Sequence, residues 1–84
     1  MTESLGDIKA ALAEVSERLR AAYGCAQSAE QRLAEAVALL SELGQSYHDG
    51  LVPPELVRAD AELTRGLGLI SGGADAVAAI EQRL

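Results

Sequence analysis

From Leu5 to Tyr47 the apolar residues recur in alternating steps of three and four: Leu5, Ile8, Leu12, Val15, Leu19, Ala22, Ala26, Ala29, Leu33, Ala36, Leu40, Leu43 and Tyr47. No strand pattern reproduces this spacing, which is that of a heptad seam along one helix. The series predicts a long helix from about residue 3 to about residue 47, on the order of 65 Å at about 1.5 Å per residue. Thr2 or Ser4 is placed to cap it, with Glu3 and Asp7 near the positive end of its dipole. Gly24 falls mid-helix on the outer side, where a slight bend is the expected consequence. Glu14 with Arg18 and Glu17 with Arg20 have the spacing of surface ion pairs, worth a few tenths of a kcal/mol each.

The seam stops at "GQSYHDGLVPPEL". Gly44 or Gly50 is a candidate for the left-handed residue that ends a helix, and Asp49 followed by Gly50 is turn chemistry. Pro53 and Pro54 then suit the start of a second helix, with Glu55 in its first turn. From Leu56 the alternation resumes through Ala59, Leu63, Gly66, Ile70, Gly73, Val77, Ile80 and Leu84. The expected fold is therefore all-α: an antiparallel helical hairpin in one domain, residues 1–84, with a turn near 48–52 and a second helix over about 53–83. Setting Leu43 level with Leu56 places Leu33 opposite Gly66, Ala26 opposite Gly73 and Leu19 opposite Ile80.

The segment "RGLGLISGGAD" holds four of the chain's eight glycines. Gly66 and Gly73 lie on the stripe, so with Ala22, Ala26 and Ala29 they are expected to mark close contact between helices. Gly68 and Gly72 point away from it, where each costs a helix about 1 kcal/mol relative to Ala. A weak point or kink at Ser71 to Gly73 is the expectation.

Leu and Ala dominate the apolar residues, with no Phe or Trp and only two Tyr. Such a chain packs helix on helix and fills a thick core poorly. Val37, Leu39, Leu67 and Leu69 flank the stripes and make the apolar band wider than one hairpin covers. The sequence thus predicts an interface through Leu33, Val37, Leu39, Leu40, Leu63, Leu67, Leu69 and Ile70, closing a four-helix bundle with a second copy or with another helical protein.

Other chemistry is poorly supplied. The net charge of −6 disfavours nucleic acid and anionic membrane, and no apolar run approaches a membrane span. The start "MTESLGD" lacks the basic-then-apolar pattern of a secretory signal, which leaves the cytoplasm as the expected compartment and Cys25 as a reduced thiol. Gly66 and Gly68 begin a dinucleotide-type glycine pattern, but Ser71 replaces its third glycine and no strand precedes it. Tyr47, His48 and Asp49 supply too few ligands for a metal and no held partner for acid/base work. No catalytic residue, metal or cofactor is expected. The reading from another class is a small-ligand pocket beside Gly66 to Gly73, where missing side chains leave space.

Size, acidic balance, two helices and the aromatic-to-glycine turn "YHDG" resemble the ESX-type, Trp-x-Gly helical hairpins of type VII secretion. That resemblance implies hairpin dimers packed into four-helix bundles, and export without a cleaved signal. It is one of layout: the chain has no Trp, and Gln27 and Leu51 stand where the family's secretion signal has Asp or Glu four residues after an aromatic. No site residue is carried over. The Ala, Leu, Arg and Glu bias is similar to that of small proteins of high-GC bacteria.

Overall fold

The computed structural model describes residues 4–47 and 50–84. Two helices make up the fold: α1, Leu5–Gly44, and α2, Pro54–Arg83. They lie side by side, with principal extents of 66 × 21 × 14 Å. A hairpin of this kind is one layer thick. Its Cα radius of gyration is 19.4 Å, against about 12 Å for a compact domain of this length.

Ser4 caps α1. Its hydroxyl accepts from the Asp7 backbone N–H at 3.1 Å, and the Asp7 carboxylate accepts from the Ser4 N–H at 3.4 Å. This reciprocal box satisfies two groups that a helix start leaves unpaired. Thr2 and Glu3 lie outside the described residues. Glu14 with Arg18 and Glu17 with Arg20 pair at 2.8 and 2.6 Å, as their spacing suggested.

α1 ends earlier than the seam predicted. Leu43 is its last seam residue, and Tyr47 stands beyond the helix, 65% exposed. The ending does not use a left-handed glycine, since no described glycine has a positive φ. Instead, Gln45, Ser46 and Tyr47 each donate a backbone bond three residues back, tightening the last turn. Leu51 then folds over Gly44, its Cβ 3.9 Å from where a side chain on that glycine would begin. His48 and Asp49, the expected turn residues, are outside the described residues.

Pro53 caps α2 in an extended conformation and Pro54 opens it, so neither missing N–H breaks a helical bond. α2 runs unbroken through Ser71, Gly72 and Gly73.

The two helices meet in a register two to five residues from the expected one, as set by two hydrogen bonds. The Ser16 hydroxyl donates to Glu81 Oε1 at 2.6 Å and the Thr64 hydroxyl to Glu30 Oε2 at 2.7 Å, both across the helix pair. Counting from Ser16 and Glu81, Leu33 comes level with residue 64 and Ala26 with residue 71. Gly66 and Gly73 are not their partners.

Candidate helix-docking face

Side-chain exposure shows which rows face inward. On α1 the half-buried positions are Leu12, Leu19, Ala26, Leu33 and Leu40, together with Ser16, Glu30, Val37 and Gly44. These are heptad rows seven residues apart, here named row d (Leu12 onward) and row a (Ser16 onward). On α2 the inward positions are Leu56, Leu63, Ile70 and Val77 of row d and Asp60, Leu67, Ala74 and Glu81 of row a, with Ala59 and Gly66 half-buried beside them. The hairpin closes on rows d and a.

The sequence stripe consists of row d and a different neighbour, row g: Ile8, Val15, Ala22, Ala29, Ala36 and Leu43 on α1, and Ala59, Gly66, Gly73 and Ile80 on α2. At 3.6 residues per turn, the centre of that stripe is rotated roughly 60° from the seam that forms. Only half of the stripe is used within the chain. In an antiparallel pair the two g rows lie on the same side, so the unused halves form one continuous face.

This corrects the expected roles. Leu67, placed by sequence on the outer interface, is 8% exposed and is the one buried residue among those described. Val37 is likewise turned into the hairpin, beside Leu33, Leu40, Leu63 and Ile70. Of the flanking residues, Leu39 and Leu69 remain outside, at 61% and 67% exposure. Ala26 faces α2, while Ala22, Ala29 and Gly73 are exposed. A Cβ added at Gly66 or Gly73 would meet nothing within 4 Å, so neither glycine is where α1 and α2 come close. The reason is rotation: both belong to row g, which the hairpin turns sideways.

Rows a and g differ in chemistry. Row a carries Ser16, Glu30, Asp60 and Glu81, which too fall at heptad spacing; the sequence placed none of them at the seam and reads Asp60, with Glu62, as a solvated face. Row g carries no charge from Ile8 to Ile80. The apolar centre of the molecule is therefore displaced toward the g side, where Ala59 and Gly66 are half-buried and the other row-g residues are exposed.

The opposite side is uneven. A shallow groove of about 280 Å³ is lined by residues that include Arg20, Tyr23, Ser71 and Asp75, and another by Ala34, Val37, Ala38, Val57 and Asp60. None of Gly66, Gly68, Gly72 and Gly73 lines either groove. Ile70 and Ser71, between those glycines, do line the first groove, so it borders that segment.

Along the outer edge of the docking face runs row c: Arg18, Cys25, Arg32 and Leu39 on α1, and Glu55, Glu62, Leu69 and Arg83 on α2. Arg32 makes no ion pair among the described residues, and Glu62 is only 3.8 Å from Arg65. Cys25 is a free, exposed thiol on this edge. Among the described residues no cluster of His, Cys, Asp and Glu has the geometry to hold a metal, and no helix is long and apolar enough to cross a membrane.

No family model matches the chain, and no curated protein or solved structure matches it.

Proposed function

We propose that this chain is a non-enzymatic helical interaction module, a hairpin that completes its apolar core by packing against other helices, in the first place those of a second copy. The observation that carries this reading is the near absence of an interior: Leu67 alone is buried among the described residues. A folded monomer of 8.7 kDa exposes about 4,700 Å² by the usual scaling, whereas the hairpin exposes 6501 Å². The excess of about 1,800 Å² is roughly twice what one partner contributes to a standard interface.

Part of that excess lies on row g. Val15, Leu43 and Ile80 are 41%, 57% and 38% exposed on an uncharged face, and covering such side chains is worth roughly 1.5 to 3 kcal/mol each when complete. The stability of a small domain is only about 5 to 15 kcal/mol in total, so a face of this size decides whether the hairpin persists. A net charge of −6 supports a protein partner over a nucleic acid.

Sedimentation equilibrium tests the reading. The expected result is a species of twice the 8.7 kDa chain mass at micromolar concentration. A folded monomer at high micromolar concentration would overturn self-association.

A further inference from the structure

We infer that a second copy docks on row g with the two-fold axis running along the helices, so that both turns lie at the same end and α1 of each copy packs antiparallel on α2 of the other. This rests on the self-association reading above and adds which face is used and how the copies are oriented.

Three observations single out this arrangement. The first is area: the excess exposed surface of one chain lies within what one partner of an obligate homodimer buries, about 1,000 to 2,500 Å², and the uncharged strip that runs the length of the hairpin is the g face. The second is size. Levels midway between those of the Ser16–Glu81 and Glu30–Thr64 hydrogen bonds bring Ala22 within a residue of the partner's Gly73, Ala29 within a residue of the partner's Gly66, and Val15 within a residue of the partner's Ile80. Small rows meet small rows in the middle, and large residues meet at the end. That match gives Gly66 and Gly73 the close approach they lack within one chain, where a Cβ on either would meet nothing.

The third is charge. The axis along the helices sets the α1 edge against the partner's α2 edge, which brings Arg32 within a helical turn of the partner's Glu62 on each side of the bundle. The perpendicular axis would instead set the α1 edge against its own copy, arginines facing arginines. Opposite charges at a rim fix orientation, and like charges oppose it.

Cross-linking resolves the two axes. A Cys25→Ser/Arg32→Cys protein mixed with a Cys25→Ser/Glu62→Cys protein should give a mixed dimer with a short bis-maleimide. The wild-type chain should give no Cys25-to-Cys25 product, because those thiols sit on opposite edges of the bundle. A Cys25-to-Cys25 product, or no mixed product from a chain that sediments as a dimer, would overturn the orientation and leave self-association standing. For the face itself, Ala29→Glu should raise the dimer Kd about 100-fold or more by burying an unpaired charge, while Ser28→Glu on the outer side should leave it unchanged. A dimer indifferent to Ala29→Glu would overturn the face. A wild-type monomer in the same sedimentation run would overturn both readings at once.

Discussion

The two sides of the hairpin present different chemistry at the same helical depth. Row a offers Ser16, Glu30, Asp60 and Glu81 to the neighbouring helix and satisfies the first two through hydrogen bonds to Glu81 and Thr64. Row g leaves its large aliphatics, all of its α1 alanines and Gly73 exposed, with only Ala59 and Gly66 half-buried. Hairpin closure therefore uses one apolar row and one partly polar row, and leaves the better apolar row outside. A chain that folded for itself alone would turn its most apolar stripe inward. In the proposed dimer the stripe is shared between two contacts, with row d at the shared corner.

The contrast is sharpest in a pair of truncations. Leu67 is 8% exposed and sits on the closed seam, whereas Leu33 in row d is only half-buried by the hairpin. In a bundle row d becomes the centre, so Leu33→Ala should cost about 3 kcal/mol and Leu67→Ala about 2 kcal/mol in urea unfolding. The reverse order would describe a lone hairpin.

The glycines give the next largest effect. Nothing lies within 4 Å of a Cβ built at Gly66, Gly68, Gly72 or Gly73, so within one chain all four should accept alanine alike. Gly68→Ala should stabilise by about 1 kcal/mol through helix propensity alone. Gly66→Ala should gain less or lose stability, because in the proposed dimer the partner's helix comes close there. Equal melting shifts for the two variants would erase the distinction between the faces.

Smaller effects supply the baseline against which those differences are read. Ser4→Ala removes the capping box at the end of α1, away from the middle of both faces, and should cost about 1 kcal/mol of helix stability by circular dichroism. Glu14→Gln breaks an ion pair that is largely exposed on both sides and should change stability by only about 0.3 kcal/mol, less in high salt.

Much of this fold was legible in the residues. The hairpin, its prolines, the Ser4 cap and the two arginine pairs each follow from local spacing, and each is present. The seam was half legible. Leu12, Leu19, Leu33, Leu40, Leu56, Leu63, Ile70 and Val77 are inward as their periodicity implied, but counting apolar residues chose row g over row a for their companions. Polar residues on row a were invisible to that count because Ser16 and Glu81 satisfy each other only once the helices are paired. The end of α1 was misjudged for a related reason. Tyr47 fits the stripe by number, yet the chain must leave the helix for Leu51 to reach Gly44. Local pattern names the helices, and the pairing decides which of their faces meet.

The shape of the hairpin has a consequence for how association would be seen. A body 66 Å long and 14 Å thick owes nearly all of its radius of gyration to length. A second copy laid along it, with helix layers about 10 Å apart, would double the mass while moving that radius only from 19.4 Å to about 20 Å. Small-angle scattering curves of the two states would thus nearly coincide in slope and differ in forward intensity. For a molecule of these proportions, weight reports its company and length conceals it.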